Sequence, residues 1–353
     1  MERGCKKNDG RSTVYNYITS EEKLAQVNPE NLELQKDFLD YLVSIDRSKG
    51  TIYQYNANLN VFFCWNLEYN KNKPFPKLTK REIARFQTHA MSEWGWSSKR
   101  LRTVKATISS LSNFIENILD DEYEGYKPIV NKIESPPDVA VRKKTVYKTR
   151  ELQKILDKLV EDGEYEKACA LSLAMNSGRR KAELVRYKVE YFKPENLICE
   201  GAVYRTPEEV TTKGRGSMGK LLVLYTLAKP FNPYLNLWLE ERKRLGIRSQ
   251  WLFPKVKNGK YLNEPAPVST LDSWGKSFTK ISGKKFYWHS MRHYITTTLL
   301  ESNLPESVVQ LFIGWETSDM VHNYDDREKD AQFEEWFGSD GIKSKRKTSL
   351  KEL

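Results

Sequence analysis

The chain has 353 residues, enough for two domains at about 100–200 residues each, and 39% hydrophobic against 30% charged residues exclude a disordered composition. Fifty-eight basic against 47 acidic residues leave a formal charge of +11, which makes a polyanion the default partner; the tail from Lys343 to Leu353 supplies +4 of it. No apolar run reaches the roughly 18 residues of a membrane span, and the opening Met1-Glu2-Arg3-Gly4-Cys5-Lys6-Lys7 precedes no export-type apolar stretch, so a cytoplasmic protein without a membrane partner is expected. Cys5, Cys64, Cys169 and Cys199 share no C-x-x-C spacing, so they read as inert thiols and not as a zinc site or disulfide framework.

Residues 1–30 are polar and mixed and read as a flexible lead-in. From residue 31 helical spacing begins. Leu34, Phe38, Leu42 and Ile45 form one stripe, and Ile52, Tyr55, Leu59 and Phe62 a second, with Gly50 between them. After Pro74 and Pro76, a third helix opens on the capping box Thr79-x-x-Glu82 and turns Ile83 and Phe86 inward. A fourth carries Leu101, Val104, Ile108, Leu111 and Ile115. A small helical domain over 31–125 is the expectation.

Residues 126–148, with Pro128, Pro136, Pro137 and a basic run from Arg142, read as a linker suited to lying along phosphates. Helical patterns resume from Thr149 to Met175. The interval from Leu197 to Leu227 is β-like, with Gly201–Tyr204 and Leu221–Tyr225 flanking a glycine-rich turn. Helices are then predicted over 234–245, 269–281, 289–301, 306–313 and 319–324. Phe333, Trp336 and Phe337 share a helical spacing, and 339–353 is a basic tail. The second domain, 149–338, therefore mixes a small sheet into a mainly helical body.

Three of the four histidines crowd into this last part, in the order His289-Ser290-Met291-Arg292-His293, Gly314-Trp315 and His322-Asn323-Tyr324. Upstream stands Ser177-Gly178-Arg179-Arg180-Lys181-Ala182-Glu183-Leu184. Taken singly, each of these residues reads as a solvated charge or a core ring. Together they supply what metal-free breakage of a phosphodiester needs: a nucleophile, cationic forks for the non-bridging oxygens, and a proton donor for the leaving oxygen. Arginines at 180 and 292 offer planar bidentate forks. His289 and Arg292, three apart, share one helical face.

In the order and spacing of these boxes the chain resembles the tyrosine recombinases of the phage integrase family, whose catalytic half carries (T/S)-G-x-R-x-x-E-L, H-x-L-R-H and G-(H/W) before a nucleophilic tyrosine. The resemblance covers about Thr149 to Gly338. It implies a helical core-binding domain and a mixed catalytic domain closing as a C-shaped clamp on duplex DNA, with Tyr324 as nucleophile, Arg180 and Arg292 as phosphate clamp and His289 as proton carrier. It further implies Lys213, in Thr211-Thr212-Lys213-Gly214, as the acid at a hairpin tip, with Lys220 as runner-up. His293 matches the second histidine of its box, and Glu183 the glutamate that braces it. Trp315 stands where most members have histidine, as in Cre-like members; its indole N–H donates a hydrogen bond but carries no proton. Ser177 and Met291 depart from the usual threonine and leucine, and Arg179 beside Arg180 leaves two registers, of which the spacing to Glu183 and Leu184 selects Arg180.

The function implied is site-specific integration or excision of a phage or mobile element through a 3′-phosphotyrosyl link, by a tetramer on two DNA sites, with no metal or nucleotide cofactor. A type IB topoisomerase or telomere resolvase with the same residues is the enzymatic alternative. A DNA-binding regulator that has lost catalysis is the other, and every catalytic position here is filled.

Overall fold

The computed structural model describes residues 7–8, 11–12, 18–137, 145–212, 214, 216, 219–327, 337–338 and 341–342. The chain divides into two compact units, residues 1–143 with 214–219, and residues 144–213 with 220–353.

In the first unit, β1 (Lys7–Asn8) pairs antiparallel with β2 (Arg11–Ser12), and five helices follow: α1 (Glu21–Leu24), α2 (Pro29–Ser44), α3 (Lys49–Tyr69), α4 (Lys80–Ser92) and α5 (Ser98–Ile118). Side-chain oxygens of Asn28, Ser48, Thr79 and Ser97 cap the four longer ones, and at α4 Glu82 completes the capping box expected from sequence. Their apolar stripes meet in one core around Leu34, Phe38, Leu59, Phe62, Phe86, Ile108 and Leu111, where each large side chain contributes about 1.5–3 kcal/mol by leaving water.

Two boundaries differ from expectation. The lead-in is folded from residue 18 on, because Ile18 and Val27 are buried in this core and Pro29, at the first turn of α2, starts that helix before residue 31. The first part of the expected linker is likewise packed: Val130 is fully buried, the Tyr126 hydroxyl meets Ser112 Oγ at 2.7 Å, and Lys105 donates to the carbonyl of Ile133. Single apolar residues in polar or proline-rich sequence leave no periodicity to read. The basic residues 142–144 lie outside the described residues.

The second unit begins with α6 (Thr149–Glu161) and α7 (Tyr165–Ser177), then α8 (Lys181–Leu184). The helical pattern over 149–175 is thus two helices, broken where Gly163 takes φ +72°. Then come β3 (Leu197–Ile198), β4 (Val203–Arg205), β5 (Val210–Thr212), β6 (Lys220–Leu222), β7 (Tyr225–Leu227) and α9 (Ala228–Arg244). β3, β4 and β7 form an antiparallel sheet, while β5 and β6 form a separate hairpin with Thr212 opposite Lys220. A second hairpin, β8 (Pro254–Lys257) with β9 (Lys260–Pro265), precedes α10 (Val268–Ser282), α11 (Ser290–Glu301), α12 (Glu306–Ile313) and α13 (Asp319–Tyr324). The described residues end in β10 (Phe337–Gly338) paired with β11 (Gly341–Ile342). Phe337 therefore opens a strand, and Phe333 and Trp336 of the expected helical face lie outside the described residues.

The core of this unit surrounds α7, buried from Ala168 through Ser177. A helix hidden on all sides has an apolar surface all round. It ends at Ser177, with Gly178 as its C-cap.

Candidate active site

The end of α7 and the end of α12 are built alike. Gly178 (φ +63°) and Gly314 (φ +75°) each cap their helix in the left-handed region. At Gly178 a Cβ would lie 2.6 Å from Ile295 Cγ2 and 2.7 Å from Ile313 Cδ1, so only glycine lets α7 close on α11 and α12. The two helix C-termini present unsatisfied carbonyls and partial negative charge, and two buried arginines answer them. Arg292 donates from Nη1 to the Gly178 carbonyl at 3.1 Å and from Nη2 to the Ile313 carbonyl at 3.4 Å. Arg179 donates to the carbonyls of Phe312, at 2.7 Å, and Ile313, at 3.1 Å.

The two neighbouring arginines of the first box stand differently. Arg179 is 1% exposed and occupied by backbone, whereas the Arg180 side chain keeps 32% of its surface. Arg180 is extended as the N-cap of α8, and Glu183 holds it twice, accepting from its backbone N–H and from Nη1, both at 3.0 Å. The resemblance has Glu183 brace His293, but Glu183 is turned to Arg180, and the acid beside His293 is Asp326, with Nδ1 and Oδ2 2.9 Å apart.

His289 and Arg292 open α11. Burial pushes the Arg292 guanidinium down to about 9, with Arg180 beside it the next cause and Glu183 opposing. Two cations drawn together in a poorly hydrated place favour an anion between them. The Arg292 guanidinium lies 5.0 Å from the Trp315 ring centroid and 5.8 Å from that of Tyr324. Tyr324, the last residue of α13, is 9% exposed, and its hydroxyl lies 2.8 Å from His289 Nε2. Its ring sits 4.9 Å from Trp315 and 4.5 Å from His293. The Trp315 indole N–H is buried with no partner among the described residues, a donor left open for an incoming acceptor.

Behind the tyrosine the chain is anchored: the Asp326 N–H donates to Thr297 Oγ1 at 3.1 Å, and that hydroxyl reaches the Tyr324 carbonyl at 3.4 Å. Thus Arg180, His289, Arg292, Trp315 and Tyr324 converge, with Glu183 and His293 around them. Lys213 lies outside the described residues. Lys220, opposite the end of β5, pairs with Glu316 at 2.8 Å. Sequence reasoning weighed Arg179 only as an alternative register, and it missed Asp326 and Thr297. The only signal for Asp326 was an acid two places after the tyrosine.

Such a site can hold a phosphate diester between two guanidiniums and an indole while a phenol approaches it. Residues 146–330 match the phage integrase family. The SPbeta prophage-derived recombinase-like protein YomM of Bacillus subtilis (strain 168) is 30% identical over 284 residues, covering 78% of this chain and 80% of that protein. Among solved structures, XerH site-specific recombinase bound to palindromic difH substrate has a TM-score of 0.59 at 18% identity, covering 81% of this chain and 78% of the other. The Tn1549 transposon integrase with circular intermediate DNA has 0.58 at 16%, covering 86% and 98%, and a lambda integrase tetramer bound to a Holliday junction 0.61 at 14%, covering 84% and 78%. The structural likenesses are likenesses of fold. With the family match they define a tyrosine-type site-specific recombinase. The chain belongs to the phage integrase family.

Proposed function

We propose that this recombinase cuts and rejoins duplex DNA at a specific core site through a 3′-phosphotyrosyl link at Tyr324, in the integration or excision of a phage or mobile element. The observation that carries the reading is the Tyr324 hydroxyl held 2.8 Å from His289 Nε2, with the Arg292 guanidinium over the same ring. In the step proposed, Tyr324 Oη attacks phosphorus and passes its proton to His289, while the bond from phosphorus to the 5′ oxygen breaks. Arg180, Arg292 and the Trp315 indole bind the non-bridging oxygens, and Lys213 protonates the departing 5′ oxygen. A 5′ hydroxyl from a partner duplex then reverses the attack, so no metal, cofactor or nucleotide is consumed.

Support for DNA as partner comes from the charge of +11 and from the circular intermediate DNA and the Holliday junction bound by the structural neighbours. The lambda tetramer supports a four-protomer synapse, and the prophage origin of YomM supports a mobile element. The 31–125 helices would serve as the core-binding domain. Tyr324→Phe should bind a cognate duplex as tightly as the parent and form no covalent adduct on a denaturing gel. An adduct that persists in the variant overturns the assignment.

A further inference from the structure

We propose that Arg179 is a positioning residue for strand cleavage: by holding the end of α12 it fixes the Gly314–Trp315 step, and through it the Tyr324 ring. The proposal rests on the reading of Tyr324 as nucleophile. Among the described residues Arg179 hydrogen-bonds to backbone carbonyls and to none of the side chains assigned to the phosphate. Its side chain is 1% exposed and spends two donors on the adjacent carbonyls of Phe312 and Ile313, the last two residues of α12. Those carbonyls are orphans by the geometry of a helix end, and a planar fork is the side chain that can reach both at once. The α12 terminus supplies the partial negative charge that makes a buried cation tolerable there.

What this cap fixes is the turn into the site. Gly314 is so near that a Cβ on it would lie 3.4 Å from Arg179 Nη1 and 3.0 Å from Leu222 Cδ1. Ile313's carbonyl is shared with Arg292. The next residue, Trp315, lies tilted 4.9 Å from the Tyr324 ring and 5.0 Å from the Arg292 guanidinium. A loose α12 end would let the indole shift, and the ring packed on it would shift too.

The test is single-turnover cleavage of a nicked duplex by the full chain, with DNA affinity and thermal stability measured alongside, for Arg179→Met, Trp315→Phe and the double variant. Arg179→Met should cleave about 10- to 100-fold more slowly, the usual effect of an ångström-scale misplacement, with affinity nearly unchanged. If Arg179 acts through Trp315, the double variant should fall within about threefold of the slower single variant, because the two losses are one loss. Added guanidinium should restore part of the rate to Arg179→Ala.

Losses that multiply in the double variant, or a change confined to affinity or stability, overturn the proposal. Arg179→Lys guards against a folding failure: it keeps the cation but cannot bridge both carbonyls, so it should fold and cleave slowly. A lysine variant that cleaves like the parent, or one that does not fold, also overturns it. Absence of any Tyr324-dependent adduct in the parent protein would instead sink the reading of the nucleophile.

Discussion

Lys213 and Lys220 compete for one role in the proposed chemistry, and paired substitutions separate them. Lys220 pairs with Glu316 at 2.8 Å, and Lys213, outside the described residues, is the acid proposed here. Lys213→Ala should cut cleavage of an ordinary phosphodiester by about 10² to 10⁴ fold. A 5′-bridging phosphorothiolate substrate, whose sulfur leaves without a proton, should be cleaved by this variant at close to the parent rate. If Lys220→Ala shows that rescue and Lys213→Ala does not, the acid is Lys220. The residues of the boxes were legible because each box is contiguous and the boxes keep a fixed order along the chain. The contacts of Arg179, Thr297 and Asp326 were not, because they are made with partners far along the sequence: the Phe312 and Ile313 carbonyls, the Tyr324 carbonyl and His293.

Among the elements, α7 carries the second unit. Gly178→Ala would force a left-handed residue and drive a methyl into Ile295 and Ile313, so a loss of about 2–4 kcal/mol is expected from overpacking and backbone strain combined. Urea unfolding measures it; a variant as stable as the parent contradicts the packing described. On the same helix, burial pushes Glu166 up to about 8, with Arg242 opposing. A carboxyl whose folded value is raised keeps its proton in the folded state while the unfolded chain has lost it. Stability from this group is therefore full below the ordinary value of 4.5 and is lost as pH rises to about 8. Glu166→Gln should flatten the fall between pH 5 and 8.5 by on the order of 1–3 kcal/mol, seen as melting temperatures that converge at low pH and part at high pH. Unchanged slopes would refute it. The long apolar stripes were readable as helices. The hairpin of β8 and β9 was not, since Lys255-Val256-Lys257-Asn258-Gly259-Lys260-Tyr261 offers few apolar positions to alternate. α9 was expected to begin at Tyr234, yet it starts at Ala228 and runs through Pro233. Proline in the first turns gives up few helix bonds, which weakens it as a stop signal.

For the molecule as a whole, composition and charge gave the partner class, and helical spacing gave both units. The boundaries were blurred by lone apolar residues, Ile18, Val27 and Val130, whose burial depends on the fold they join. Because the proposed chemistry draws on arginine, lysine, histidine and tyrosine, excess EDTA should leave the cleavage rate unchanged; strict magnesium dependence of strand breakage would count against it. The depth of Tyr324, 9% exposed beneath Trp315 and His293, has a consequence for the host. A phosphotyrosine formed there would be shielded from hydrolysis, so a reaction stalled midway would leave no free end at the cut phosphate. An oncoming replication fork would meet a protein roadblock bonded to the template, and clearing it would fall to a phosphotyrosine-cleaving or proteolytic repair activity before any end-joining could act.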